Sequence, residues 1–315
     1  MSQPTSPISE VFGIQAPKGA VIRVHSVGDP FAAEADQGYL FDKNALKVAQ
    51  FWLRANPSRG MMLTGPTGSG KTAFVEEISK RTRWPLVVVG CHGELEFQDL
   101  VGRITLNKDG STGWVDGPLV RAMKLGAILL LDEINFLRPS AVGGMNGVLD
   151  ARMFQIPETG EEVAVHPDFR IAATANSISG DDATTYRGTQ RQNVALLDRF
   201  IGHEMGYLPE DDEVKALMGR VQLLKETVAR VMVSFANGVR SMNKDGKLLE
   251  TLSFRVLHTW AEFTVLYDSK DEQAQAQAMT AALQPALLFR CSMDSQRILE
   301  TALRETGQRY FPQVF

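Results

Sequence analysis

A glycine-rich run has the residue types and the spacing of a phosphate-binding loop. Residues 65–72 read G-P-T-G-S-G-K-T and match the pattern G-x-x-x-x-G-K-[ST] at every fixed position. In this pattern the backbone N–H groups turn inward onto phosphate oxygens, the lysine reaches the β- and γ-phosphates, and the last hydroxyl ligates Mg²⁺. The loop therefore predicts binding of a nucleoside triphosphate by Gly65, Pro66, Thr67, Gly68, Ser69, Gly70, Lys71 and Thr72.

Two adjacent carboxylates, Asp132 and Glu133, follow the apolar run Ala127–Leu131 farther along the chain. Asp132 is predicted to hold Mg²⁺ through a water molecule, and Glu133 to polarise the water that attacks the γ-phosphate. A positioned general base contributes about 10²–10⁴-fold to a rate. Paired carboxylates also occur at solvated strand ends, but the upstream phosphate loop favours the catalytic interpretation.

Asn176 stands directly after a third apolar run, Phe169–Ala175. An amide at that point can orient the attacking water or contact the γ-phosphate. The alternative is an asparagine that only shapes a turn, because asparagine is common in turns.

Arg199 lies in the sequence L-L-D-R-F, just before the apolar run Ile201–Met205. We expect it to reach across a subunit boundary and stabilise charge on a neighbouring ATP, as arginine fingers do with a gain of about 10³–10⁵-fold. A local salt bridge with Asp198 is the competing interpretation.

A second arginine, Arg255, is predicted in the first turn of a helix whose N-cap is Ser253. A cation is unfavourable at a helix N-terminus. A residue that breaks a local rule is a candidate for function, and for Arg255 that function is contact with the γ-phosphate. An ordinary exposed arginine is the alternative.

These residues need a scaffold of alternating strands and helices. Apolar runs at 60–64, 85–89, 127–131, 169–175 and 201–205 alternate with helical patterns such as Thr72–Arg81 and Asn44–Arg54. This alternation predicts an α/β fold whose parallel sheet is wound with helices, with ligands bound at the carboxyl ends of the strands. Beyond Glu210 helical periodicity takes over in Asp211–Val239, Ser253–Tyr267 and Glu272–Arg290, where Pro285 is expected to bend or split the last helix.

The pattern divides the chain into an N-terminal extension (1–40), a nucleotide-binding α/β domain (41–210) and a helical lid (211–315). The chain has 315 residues, a formal charge of −4 and 44% hydrophobic residues, a balance that does not favour a general nucleic-acid or membrane binder. It has no apolar stretch near the ~20 residues of a membrane span, and no signal peptide is visible. Two cysteines without CxxC spacing and five scattered histidines argue against a zinc site and fit a reducing, cytoplasmic location.

Taken together, these residues resemble those of the AAA+ P-loop ATPases. Within that superfamily the chain is similar to the MoxR and dynein-related group. The segment from Asp99–Arg103 to Gly117–Leu119, with a turn at Asn107–Gly110, looks like the group's insert in its second helix. Met153–Ile156 and Val163–Val165 look like its hairpin before the strand that ends at Asn176. The chain is most similar to the CobS-type ATPase subunits of cobalt chelatases in the runs Arg83–Pro85, Thr184–Gln190, Asn193, Asp198–Arg199 and Tyr207–Pro209.

The resemblance implies an ATPase that forms a homo-oligomeric, hexameric ring with ATP and Mg²⁺ at subunit boundaries. It also implies a partner with a von Willebrand A domain. The leading hypothesis is a motor that remodels a protein partner, and metal insertion is one task that such a motor could drive. A MoxR-type chaperone or activator of another complex is the alternative.

Two further functions are less favoured. A nucleic-acid translocase needs cations on its hairpin, whereas residues 154–168 contain four acidic residues and no lysine or arginine. A nucleotide-gated scaffold without turnover would need neither Glu133 nor Arg199. Trp114 and Tyr186 could contact a substrate, although an aromatic residue between glycines more often packs locally.

Overall fold

The computed structural model describes residues 4–25, 34–36, 38–54, 59–149, 153–176 and 194–315. The described residues form two compact units. The first comprises Met1–Asp36, Phe41–Pro66 and Lys71–Met205, and the second comprises Gln37–Leu40, Thr67–Gly70 and Gly206–Phe315. The three-part division at residues 40 and 210 remains a prediction.

A parallel sheet of five strands forms the centre of the first unit. In chain order its strands are β3 (Gly60–Thr64), β4 (Leu86–Gly90), β7 (Ile128–Asp132), β10 (Arg170–Ala175) and β11 (Phe200–Glu204). Their order in the sheet is β11-β3-β10-β7-β4. The predicted α/β fold with a parallel sheet is confirmed. Near-continuous apolar runs suit such strands because helices cover both faces, and Ile128, Leu129, Leu130 and Leu131 are fully buried.

The other elements of the first unit are helices and short strands that precede β3 or connect the five strands. Parallel strands cannot be joined by a tight turn and need crossover connections, which are usually helical. In chain order the other elements are β1 (Thr5–Pro7), α1 (Ile8–Phe12), β2 (Val21–Arg23), α2 (Lys43–Arg54), α3 (Lys71–Thr82), α4 (Phe97–Val101), β5 (Gly102–Leu106), β6 (Thr112–Asp116), α5 (Pro118–Leu125), α6 (Pro139–Leu149), β8 (Met153–Gln155), β9 (Glu162–Ala164) and α7 (Val194–Leu197).

Both predicted hairpins are present. Strands β5 and β6 pair antiparallel around the turn at 107–110, and β8 pairs antiparallel with β9. Trp114 is half-buried, donates from Nε1 to Asp116 over 2.9 Å, and lies against Gly102, where a Cβ atom would come within 2.3 Å of its ring. These contacts favour local packing for Trp114; Tyr186 lies outside the described residues.

The N-terminal segment packs onto the first unit through aromatic rings. Strands β1 and β2 pair antiparallel, and Phe41 lies edge-on between Phe12 and Phe74 of α3, at 5.3 and 5.7 Å between ring centroids. His25 lies against Trp84, with 4.5 Å between centroids. Buried rings of this size contribute strongly to packing, so the segment shares the core of the unit.

The second unit is helical and has its own core. Its long helices are α8 (Glu210–Arg220), α9 (Glu226–Lys244), α10 (Phe254–Tyr267), α11 (Glu272–Ala286) and α12 (Met293–Gln308). Phe235 and Trp260 pack edge to face at its centre, 5.4 Å apart. The predicted helical character of this region is confirmed.

The structure corrects one detail of those predicted helices and confirms another. The stretch Asp211–Val239 is two helices, because Leu223 takes a left-handed conformation (φ 71°) between α8 and α9. The buried amide of Gln275 accepts from the backbone N of Lys225 and donates to the carbonyl of Leu223, which fixes the break. The second expectation is confirmed: the stretch Glu272–Arg290 is split just beyond Pro285, where α11 ends at Ala286 and a separate 3-10 helix, Leu288–Arg290, follows.

Among the described residues, none of the helices combines the length and the apolar composition needed to cross a bilayer.

Candidate functional site

Lys71 is the first residue of α3, and its ammonium group is surrounded by oxygen atoms. Its Nζ donates to the carbonyl oxygens of Gly65 and Pro66 over 2.8 and 2.9 Å, and to Oδ1 of Asn176 over 3.1 Å. An ammonium group has three N–H donors. The lysine therefore joins the phosphate loop to the residue that follows β10.

Burial changes the acidity of this lysine. Desolvation lowers the pKa of Lys71 from its ordinary 10.5 to about 8, while the nearby carboxylates of Asp132 and Glu133 act in the opposite direction. Only 6% of the residue is exposed. Because burial penalises the charged form, an anion placed beside Lys71 would restore the stability of its positive charge.

The glycines of the loop are required by geometry. Gly65 has φ 137°, and a Cβ atom there would lie 2.0 Å from the carbonyl oxygen of Met205. Gly68 has φ 75° and, within the second unit, would place a Cβ atom 2.1 Å from that of Ser253. Glycine alone takes such conformations without steric cost. The Ser69 hydroxyl is buried and has no hydrogen-bond partner among the residues that the structure describes, as suits a loop that receives an external oxygen.

Asp132 ends β7, and two hydroxyl groups meet at one of its oxygens. The Oγ1 atoms of Thr72 and Thr174 each donate to Oδ1 of Asp132 over 2.6 Å. A hydroxyl and a carboxylate this close are the hard oxygen ligands that Mg²⁺ prefers, usually as one or two protein ligands beside substrate phosphates. The residues present therefore fit the predicted magnesium site at Thr72 and Asp132.

Glu133 follows with an exposed side chain and an unusual backbone. Its φ and ψ are 59° and 47°, the left-handed region, which costs a residue with a Cβ about 1 kcal/mol or more. Its backbone N donates to Oγ1 of Thr174 over 2.9 Å. A strained residue of this kind points to a functional requirement.

Cys91, which follows β4, lies beside the same strand end. Its backbone N donates to the carbonyl oxygen of Asp132 over 2.8 Å. Burial raises the pKa of the Cys91 thiol to about 12, so the thiol stays protonated and is not a nucleophile. Among the described residues, no group of three or more His, Cys, Asp or Glu side chains is placed to hold a metal ion.

Arg199 lies at the other end of the sheet. Its carbonyl oxygen accepts from the backbone N of Gly60 over 2.9 Å, and Phe200 pairs with Gly60 where β11 and β3 begin. Asp132 and Asn176 lie at the carboxyl ends of β7 and β10. A strand of five residues rises about 13 Å between its first and last Cα atoms. Arg199 is therefore far from Asp132 and Asn176 of its own chain.

Arg255 belongs to the second unit and is exposed in the first turn of α10. The predicted N-cap is confirmed: the Ser253 side chain accepts from the backbone N of Val256 over 3.3 Å. Within the same unit, the Tyr207 hydroxyl donates to the carbonyl oxygen of Thr67 over 2.9 Å. Gly68 and Ser253 are neighbours, so this part of the phosphate loop lies beside the start of the helix that carries Arg255.

Sequence reasoning missed two residues. Thr174 contacts both acidic residues, and its position two residues before Asn176, on the same face of a strand, could have drawn attention to it. Arg240 of α9 makes a bidentate pair with Glu213 at 2.7 Å and donates from Nε to the carbonyl of Leu252, also over 2.7 Å. It also lies 3.8 Å from the ring centroid of Tyr207. A charged residue on the apolar face of a helix was the signal for Arg240.

Comparison with known proteins gives a family and relatives. Residues 60–200 match the family described as AAA domain (dynein-related subfamily). The aerobic cobaltochelatase subunit CobS of Sinorhizobium sp. is 32% identical over 269 residues, which are 82% of this chain and 80% of that protein. An uncharacterised protein of Staphylococcus saprophyticus is 33% identical over 214 residues, 66% of this chain and 78% of that one.

A solved structure shares the fold. The crystal structure of NtrX from Brucella abortus in complex with ADP is 20% identical, with a TM-score of 0.53. The alignment covers 86% of this chain and 61% of that chain. At this identity the likeness concerns the fold alone.

Proposed function

The chain belongs to the dynein-related subfamily of AAA+ ATPases, and from this premise we propose that it is an ATP-hydrolysing ring motor that remodels a protein partner. AAA+ proteins generally assemble as rings. In the proposed ring, hexameric by the family resemblance, each ATP lies at a boundary between subunits. We also propose that the chain has the three domains predicted from the sequence and that it is located in the cytoplasm.

The residues of one subunit divide the work of binding and hydrolysis. The backbone amides of the phosphate loop and the Lys71 ammonium bind the phosphates of ATP. Glu133 accepts the proton of the attacking water, and Asn176 orients that water or the γ-phosphate. Thr72 and Asp132 would hold Mg²⁺, which supplies positive charge against the β- and γ-oxygens.

The position of Arg199 carries the proposal of a shared site. Its strand-start location lies at the far end of the sheet from Asp132 and Asn176, beyond the reach of one arginine side chain across about 13 Å of strand. An arginine that serves hydrolysis from there must serve the site of a neighbouring subunit. The subunit boundary is therefore part of the catalytic unit in this proposal.

The finer function comes from the relatives. The similarity to a protein named aerobic cobaltochelatase subunit supports a CobS-like role in which the ring drives metal insertion with a von Willebrand A-domain partner. A MoxR-type chaperone or activator of another complex uses the same ATPase core. We place a nucleic-acid translocase last, because the β8–β9 hairpin exposes Glu158, Glu161 and Glu162 and would repel phosphates.

Mass photometry combined with ATPase rates tests the shared site. The wild type is measured without nucleotide, with ADP and with a slowly hydrolysed ATP analogue, and its specific activity is followed against protein concentration. We expect a nucleotide-dependent ring whose specific activity rises with concentration. Glu133→Gln should keep ATP binding and the ring but lose hydrolysis by about 10²-fold or more.

Two outcomes would contradict this function. A monomer whose specific activity is independent of concentration removes the ring and the role of Arg199. A Glu133→Gln variant that hydrolyses ATP at the wild-type rate removes the catalytic assignment.

A further inference from the structure

Thr174 is a buried hydroxyl that contacts the backbone of one acidic residue and the side chain of the other. Only 1% of the residue is exposed. Its Oγ1 donates to Oδ1 of Asp132 over 2.6 Å and accepts from the backbone N of Glu133 over 2.9 Å. A carboxylate only accepts and an amide N–H only donates. The two partners therefore fix the direction of the hydroxyl proton, which points at Asp132.

The contact continues the sheet where its backbone pairing ends. The last pair between β10 and β7 joins Ala173 to Leu131. One residue farther, the Thr174 side chain replaces the backbone ladder and joins β10 to Asp132 and Glu133. Asn176, two residues beyond Thr174, accepts from Lys71. The end of β10 therefore contacts the acidic pair through Thr174 and Lys71 through Asn176.

The backbone of Glu133 depends on this contact. Its left-handed conformation (φ 59°) is one that residues other than glycine rarely adopt. It persists only where the surroundings hold it, and the bond from Glu133 N to Thr174 Oγ1 is such a restraint. The exposed carboxylate projects from the peptide so held, which means that the direction of the base follows the Thr174 hydroxyl.

We propose that Thr174 is a positioning residue for ATP hydrolysis: its hydroxyl sets the peptide of Glu133 and one oxygen of Asp132, and so aims the general base. This inference rests on the proposed function, in which Glu133 is that base. It assigns Thr174 no contact with ATP. Its loss should therefore lower turnover and leave nucleotide affinity unchanged.

The first test compares variants at one position. Thr174→Val removes the hydroxyl at nearly constant volume and is expected to lower kcat by about 10–100-fold, since small misplacements of a catalytic group have effects of this size. The Kd for a fluorescent ATP analogue should stay within about twofold. Thr174→Ser keeps the hydroxyl and should restore kcat to within a few-fold of wild type.

Thr264→Val is the matched control. Thr264 is fully buried and donates from Oγ1 to the carbonyl of Trp260 over 2.9 Å in the second unit, so its variant also loses a buried hydroxyl. We expect wild-type kcat for it. If Thr174→Val fails to fold, Thr174→Ser is compared with Thr174→Ala, which differ by the hydroxyl, and the serine variant should be at least about tenfold faster.

A double-mutant cycle separates positioning from general damage. In the Glu133→Gln background the base is absent, so adding Thr174→Val should change the single-turnover rate little, whereas independent effects would multiply. Multiplying effects, wild-type kcat in Thr174→Val, or a parallel loss of ATP affinity would each overturn the inference.

The two hypotheses fail differently. If Glu133→Gln hydrolyses ATP normally, the proposed function fails and the inference fails with it. If Glu133→Gln loses hydrolysis but Thr174→Val does not, the inference alone is wrong.

Discussion

Lys71 and Asn176, 105 positions apart in the chain, are joined by a hydrogen bond of 3.1 Å from Nζ to Oδ1. The bond links the first residue of the helix after the phosphate loop to the residue that directly follows the central strand of the sheet. Because Nζ also donates to the carbonyl oxygens of Gly65 and Pro66, a phosphate bound by Lys71 must displace one of these three acceptors. The bond to Asn176 is the longest of the three, and its loss would free the amide of the residue expected to sense the γ-phosphate.

The lowered pKa of Lys71 predicts a pH dependence of ATP binding. Below about pH 8 the ammonium is charged and the affinity should be independent of this group. Above pH 8 the free protein loses that charge, so the affinity should fall by up to about tenfold per pH unit. Titrations with a fluorescent ATP analogue at pH 7, 8 and 9 measure the slope.

The lowered pKa of Lys71 also makes the free energy of unfolding depend on pH, and this free energy rises with pH where the ATP affinity falls. Because the folded-state pKa lies below the ordinary 10.5, the unfolded chain binds more protons between about pH 8 and 10.5. The contribution of Lys71 to the free energy of unfolding therefore rises with pH in that window.

Two variants test the role of Lys71 in the pH dependence of ATP binding. Lys71→Ala should abolish ATP binding. Lys71→Arg stays charged throughout, so its ATP affinity should not decline above pH 8, and a decline equal to that of the wild type would exclude Lys71 as the cause.

Arg199→Ala should keep nucleotide binding and lose turnover in the oligomer by about 10³-fold or more. Its position at the opposite end of the sheet from Asp132 predicts action in trans. We expect mixtures of Arg199→Ala with Glu133→Gln subunits to recover part of the activity, since some boundaries pair an intact Arg199 with an intact Glu133. ATPase rates across mixing ratios test this, and an Arg199→Ala ring with wild-type turnover would contradict the assignment.

Arg255→Ala should distinguish ATP from ADP. A residue that contacts the γ-phosphate contributes to ATP affinity and not to ADP affinity. We expect the preference for a slowly hydrolysed ATP analogue over ADP to shrink by about tenfold, as for one lost charged hydrogen bond. Calorimetry with both ligands measures the ratio. An equal loss for both ligands would indicate damage to the lid instead. Arg297→Ala, which removes an exposed arginine of α12, controls for charge.

The buried pair of Glu213 and Arg240 predicts a stability effect in the second unit. Removing one partner of such a pair leaves an uncompensated charge, so Arg240→Ala should cost about 3–5 kcal/mol of unfolding free energy. The midpoint of urea unfolding, followed by tryptophan fluorescence near Trp260, reports this cost. Arg230→Ala, which breaks exposed pairs with Asp211 and Glu226, should leave the midpoint nearly unchanged; equal shifts would refute the argument.

Local patterns predicted the elements that hold the site. The apolar runs identified all five strands, because buried parallel strands need such runs, and the spacing of the phosphate loop located Lys71 and Thr72. The polar residues after two strands met at one sheet edge, as parallel topology requires.

Contacts between distant segments could not be predicted in the same way. The break at Leu223 has no proline or glycine of its own; it depends on Gln275, which only the folded helices bring there. The left-handed turn at Glu133 likewise depends on Thr174. Both are cases in which tertiary contacts override local preference.

The order of the strands also determines when this domain can form. Strand β10 lies between β3 and β7, and its register joins Ala172 to Met61, so the ribosome must release residue 175 before the centre of the sheet exists. Contacts between such distant residues slow folding, and until then β3 has neither of its two partners, while β7 can pair only with β4. A growing chain of this kind is exposed to aggregation, and chaperones that bind nascent chains would protect it in the interval between the synthesis of β7 and that of β10.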